Sequence, residues 1–174
     1  ALRGRVASAG LALALACAAR VADPRAVLSL PEARLGRLGP GNAAVRLAWR
    51  AGAEAALSLV SGTAMPATEA AERGLIDRLA DNPLAEAIAL ARDLPTGTPP
   101  QALAGLRDAA GFRAAVAAAR AALPAPLPAH RLAEGWRIDC VEAAQLLPPD
   151  QALACWARAF SMAAPISPAP AVAR

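Results

Sequence analysis

The apolar positions fall into a few distinct periods along the chain. From Leu11 to Arg20 the sequence reads LALALACAAR. An Ala/Leu run with no polar face predicts a helix buried on most sides. Before it, Ala1–Ala7 reads as the end of a strand. After it, Val21–Ala22 and Ala26–Leu30 are short apolar pieces parted by Asp23-Pro24, the pattern of two short strands around a turn. Pro31 ends the second piece, and Glu32 follows at a Pro-Glu corner. Gly36, Gly39, Pro40 and Gly41 then make a loop. Asn42 is placed to cap a helix running through Trp49, Gly52 to stop it, and Ala53–Val60 to form another closed by Gly62. Pro66 or Thr68 opens the next short helix and Gly74 closes it. Leu75–Leu79 reads as extended, and Pro83 begins a helix over Leu84–Asp93. Beyond a PTGTPP linker the pattern turns wholly helical: Phe112–Leu123, a PAPLP break, Trp136–Leu147 and Asp150–Phe160. The closing residues, 165–174, are Pro-rich and read as disordered. No internal repeat is apparent.

Composition narrows this picture. The 174 residues suffice for one domain with a sizeable core, or for a piece of a larger one. Hydrophobic residues make up 56%, but much of that is alanine and aromatics are only 3%, so each core position buries little area. All basic side chains other than His130 are arginine, as GC-rich coding would produce. The net charge of +4 suits an anionic ligand, and no basic stripe interleaved with aromatics argues for nucleic acid. Cys17, Cys140 and Cys155 show no metal or disulfide spacing, which fits a reducing cytoplasm. His130, alone among prolines, reads as incidental. A rival reading takes Arg3, Arg5 and the apolar run after them as a secretory signal. That run is far short of the roughly 20 residues of a membrane span. Trp49, Trp136 and Trp156 read as packing residues, and Leu13–Leu15 as core. Arg34, Arg37, Arg46 and Arg50 read mostly as solvated surface.

The chemistry centres on Ala7–Gly41. Small residues precede a helix whose first N–H groups have no partner within it and carry partial positive charge. Such an entrance can stabilise an oxyanion. About twenty residues on, Glu32 supplies one carboxylate just after an apolar strand; by pattern alone it reads first as a solvated loop carboxylate.

Three stretches carry a family resemblance. ALRGRVASAGLALALACAA is similar to the AVxGxAxGGGxELALACD segment of crotonases, the enoyl-CoA hydratases and isomerases. LPEARLGRLGPGNAAVRL resembles their LPExxLGxxPGxGGxxRL, and LSLVSGTAMPATEAAERGLIDRLAD resembles their LLLTGxxxxAxEAxxxGLVxxVV. The register holds over residues 1–94. Further on, RIDCVEAAQLLPPDQALACWARAF looks like the linker helices of bifunctional fatty-acid oxidation enzymes. No G-x-G-x-x-G follows a strand, so their NAD-dependent dehydrogenase part is not represented.

The resemblance implies an α/β fold: part of a ClpP/crotonase ββα spiral core over 1–94, a helical linker-type region over 95–164, and the tail over 165–174. It places the family's N-terminal half, with one oxyanion donor, before Ala1. It implies enolate chemistry on an acyl-CoA thioester in fatty-acid β-oxidation. Ala9 occupies the position of the family's backbone oxyanion donor, with Gly10 beside it. The first of the hydratases' two glutamates is matched by Ala12, which does no proton work, and the second by Glu32. Isomerase-type chemistry with Glu32 as the single base is therefore the expectation. A degenerate or truncated module without activity is the alternative. No cofactor is implied beyond the CoA thioester as substrate, and no metal, nucleic acid or membrane partner. Homo-oligomerisation and fusion to a 3-hydroxyacyl-CoA dehydrogenase part both stay open.

Overall fold

The computed structural model describes residues 1–39, 42–95, 103–128 and 131–163. The PTGTPP linker after Pro95, His130 and the 165–174 tail lie outside the described residues, so the expectations for them stand as expectations.

Among the described residues, five very short strands form two small sheets. β1 (Arg5–Ala7) pairs in parallel with β3 (Val27–Ser29), and β3 pairs antiparallel with β4 (Met65–Pro66). β2 (Val21–Ala22) pairs in parallel with β5 (Arg78–Leu79), and Leu2 bridges to Ala22 at the same sheet. The chain thus leaves the first sheet for β2, returns to it for β3 and β4, and leaves it again for β5. Parallel pairing of β1 with β3 needs a crossover, and α1 (Ser8–Ala16) supplies it.

Helix α1 has no side-chain cap at its N-terminal end and relies on its Ala/Leu composition. It stops at Cys17, which turns extended while its N–H bonds Ala14 O. Arg20 closes that end, donating from Nη1 to Cys17 O at 2.8 Å and to Ala14 O at 3.4 Å. A cation there complements the helix dipole and satisfies otherwise orphaned carbonyls. Leu11, Ala12, Ala14 and Leu15 are buried, but Leu13 is 70% exposed. The Leu13–Leu15 stripe expected in the core is therefore only half there, because a one-residue step of about 100° carries Leu13 off the packed face.

The expected pair of helices around Gly52 is one run, α2 (Ala43–Val60), broken at Gly52 (φ 82°, ψ 176°). A turn of 3₁₀ helix, Ala104–Leu106, presses on that break: a Cβ on Gly105 would stand 2.2 Å from Ala48 O and from Gly52 N. Gly105 is required by this close approach and Gly52 by its positive φ. Asn42 precedes α2 in a left-handed conformation (φ 61°), and its side chain makes no cap bond, against the capping role expected of it. Asn82 and Asp108 do cap, accepting from Ala85 N and Gly111 N at α4 (Pro83–Asp93) and α5 (Ala109–Ala121). The short α3 (Ala67–Glu72) precedes β5.

Of the remaining helices, α6 (Leu132–Leu146) packs with α5 against α2, and α7 (Pro149–Ala163) packs on α6. One core runs from Val6 through α2 to Ala159. Trp49, 2% exposed, pins it: its indole N–H donates to Ala144 O at 3.0 Å. Ala144 lies in the last turn of α6, where carbonyls lack helical partners, and Pro148 four residues on has no N–H to give. The indole satisfies that carbonyl.

Candidate active site

Glu32 sits in a 3₁₀ helix, Pro31–Leu35, that leaves β3 directly. Proline at its first position fits a helix start, where no N–H is needed. Because β3 lies beside β1, the corner after β3 comes to rest against the residue after β1. That residue is Ser8, whose Oγ donates to Glu32 Oε2 at 2.5 Å. Glu32 Oε1 is buried and has no hydrogen-bond partner among the described residues. It faces Gly39, where a Cβ would approach to 2.6 Å.

Ser8 has φ 48° and is the strained residue of the strand-to-helix turn. Left-handed backbone in a non-glycine residue costs on the order of 1–3 kcal/mol. Ala9 and Gly10 follow as the exposed first turn of α1. The left-handed residue of the turn is thus Ser8, one position before Ala9. Gly10 has no positive φ, and a Cβ there would meet open space, so neither backbone conformation nor packing requires glycine at this position. The Ala9 and Gly10 amides belong to the set of helix-initial donors without intrahelical partners. Ala12, one turn further, is buried and brings no carboxylate.

A cavity of about 20 Å³ lies beside Glu32, lined also by Leu30, Leu38, Gly39, Val60, Arg137, Cys140 and Trp156. That is room for about one water-sized molecule. Glu32 is the one carboxylate among its described lining residues. The loop that completes the cavity is held from the helical region. Arg137, buried on α6, donates from Nη1 to Arg37 O at 2.8 Å and to Ala33 O at 3.4 Å. Trp156 on α7 donates from Nε1 to Gly39 O. Burial lowers the proton affinity of the Arg137 guanidinium, while Glu134 and Glu32 pull it back up.

Arg137 escaped the sequence reading, and Trp156, read as a packing residue, also bonds the loop. They lie 100 or more residues from the loop they hold, and nothing local marks that role. Arg50, grouped with solvated arginines, is buried and donates from Nη2 to Asp77 Oδ1 at 3.0 Å; Arg20 Nη2 meets Oδ2 of the same carboxylate at 2.7 Å. The Arg20 guanidinium is held below its ordinary pKa, by burial first and by Arg50 second, with Asp77 opposing both. Cys140 and Cys155, apart in sequence, bring their Sγ atoms to 3.6 Å as free thiols. Burial, with Cys155 alongside, pushes the Cys140 thiol well up. Among the described residues no group of three or more His, Cys, Asp or Glu could hold a metal, and no helix is long and apolar enough to cross a membrane.

A strand-to-helix turn with open amides, a carboxylate brought to it by the strand paired in parallel with the first, and strands shared between two sheets define an α/β protein with a partial crotonase fold. Residues 1–123 match the family model described as enoyl-CoA hydratase/isomerase, and the chain belongs to that family. Its fold is similar to the enoyl-CoA hydratase of Mycobacterium smegmatis (22% identity, TM-score 0.57, covering 92% of this chain and 60% of that one). It is also similar to that of Mycobacterium tuberculosis H37Rv (24%, TM-score 0.54, 92% and 61%). An enoyl-CoA hydratase of Mycobacterium avium subsp. paratuberculosis K-10 is alike (22%, TM-score 0.57, 95% and 56%). The chain spans about 60% of the length of these structures.

Proposed function

We propose that this chain carries the enolate-forming part of an acyl-CoA site, with Glu32 as the base and the Ala9 and Gly10 amides as oxyanion donors. The carrying observation is the placement of the Glu32 carboxylate on Ser8, the residue that leads into those amides. A thioester whose oxygen sits at the helix entrance presents its C2 protons toward the same corner. Glu32 takes a proton from C2, the electron pair moves into the thioester carbonyl, and the amides stabilise the charge. Returning the proton at C4 of a 3-enoyl-CoA moves the double bond to C2. One carboxylate suffices for this. Hydration in this family's two-glutamate form does not, since Ala12 occupies the first glutamate's position. Isomerisation is therefore the favoured reaction, and fatty-acid β-oxidation its setting, with the CoA thioester as substrate and no separate cofactor.

The test is conversion of a 3-enoyl-CoA by the full chain. Turnover that disappears in Glu32→Gln supports the reading, and a Glu32→Gln variant as active as the parent ends it. A second reading, a crotonase-fold module without catalysis, is favoured by the cavity beside Glu32. At about 20 Å³ it is far smaller than the roughly 300–1,000 Å³ of small-molecule pockets. Calorimetric titration with an acyl-CoA separates the two: the first requires binding, the second does not.

A further inference from the structure

We infer that Ser8 is the positioning residue of the Glu32 base, selecting which carboxylate oxygen moves the proton; this rests on the reading of Glu32 given above. The two oxygens of Glu32 stand in different surroundings. Oε2 accepts from Ser8 Oγ at 2.5 Å, while Oε1 is buried without a partner beside the bare Cα of Gly39. A carboxylate oxygen engaged by a short hydroxyl bond is the poorer proton acceptor, because the bond stabilises its negative charge. The proton therefore goes to Oε1. The hold also fixes rotation of the carboxyl group, which the Glu32 side chain could otherwise vary freely at the end of its two methylenes.

The backbone at Ser8 gives this a specific signature. Position 8 has φ 48°, where glycine rests without strain and a β-branched residue is most disfavoured. A residue chosen for the turn alone would be glycine. Serine stands there against that preference, and its hydroxyl makes the one side-chain bond found for Glu32 among the described residues.

Stability and turnover therefore separate. Ser8→Gly keeps or raises the melting temperature but lowers kcat about tenfold to a hundredfold, the worth of one hydrogen bond to a charged group, with KM within about twofold because ground-state binding is untouched. Ser8→Ala loses kcat equally. Ser8→Thr keeps the hydroxyl, so it melts lower yet retains most of kcat. Parent kcat in Ser8→Gly overturns the positioning role while leaving Glu32 as the base if Glu32→Gln stays inactive. Parent kcat in Glu32→Gln overturns the base instead. A thermal-unfolding cycle of Ser8→Ala, Glu32→Ala and the double variant reads the contact without turnover. Losses that fall short of additivity in the double variant support the hold, and strictly additive losses overturn it.

Discussion

Asp77 is the counter-ion of two buried arginines, and its removal is the sharpest test of how the sheet pair is tied to α1 and α2. The side chains of Arg20 and Arg50 are 2% and 6% exposed; that of Asp77 is 33% exposed. Asp77 Oδ2 takes the Arg20 guanidinium and the Arg20 backbone N–H, each at 2.7 Å, and Oδ1 takes Arg50 at 3.0 Å. The Nε atoms of both arginines are buried without partners, so the carboxylate is the compensation for two largely desolvated cations. Breaking a buried ion pair by deleting one partner costs about 3–5 kcal/mol. Solvent reaches a third of Asp77, which places Asp77→Ala near the lower end, about 3 kcal/mol. For a chain of this length that is a fall in melting temperature of about 6–12 °C. Urea unfolding followed by circular dichroism reads it directly. Adding Arg50→Met to Asp77→Ala recovers part of the loss, since one uncompensated charge leaves the interior. A cost of about 1 kcal/mol or less, the worth of an exposed pair, refutes the reasoning.

Three further outcomes follow from the same contacts. The Arg25 side chain and backbone N–H hold the Asp23 carboxyl down to about 2, against an ordinary 3.8; its contribution to stability is complete above pH 4 and is lost as pH falls through 2, so the acid limb of a melting-temperature profile is flatter in Asp23→Asn. Trp49→Phe leaves Ala144 O without its donor and costs about 2 kcal/mol, measured as a fall of about 4–8 °C in melting temperature. Gly39→Ala sets a Cβ 2.6 Å from Glu32 Oε1; the end of the side chain yields, so unfolding changes by only about 1 kcal/mol, while displacement of the base lowers turnover of a 3-enoyl-CoA by about a hundredfold.

Much of the fold was legible because its punctuation is local. Asp23-Pro24, Pro31, Gly52, Gly74 and Pro83 each mark a boundary through backbone geometry that the residue itself imposes, and the structure breaks at or beside each one. Helix ends shifted where the end depends on neighbours: α1 begins at Ser8, three residues before the expected Leu11, because the turn from β1 feeds straight into it. Leu13 misled because an all-apolar run carries no record of which side meets the core. At the site, Glu32 and the small-residue turn could be singled out from spacing. Their meeting was implied by the family resemblance alone, since it depends on the parallel pairing of β1 with β3, which spacing does not record. The roles of Ser8, Arg137 and Trp156 at the site were invisible because each depends on contacts that only the fold makes. A serine in a turn and an arginine in a helix are unremarkable until the fold sets one on a carboxylate and the other on a loop carbonyl.

The central claim is that Glu32 draws a proton from C2 of a bound thioester. Incubating the chain with a 3-enoyl-CoA deuterated at C2 and reading loss of deuterium from C2 by mass spectrometry tests this whether the label passes to C4 or to solvent. The account predicts loss from C2 with the parent and none above background with Glu32→Gln. Full retention at C2 with the parent, or equal loss with the variant, contradicts it.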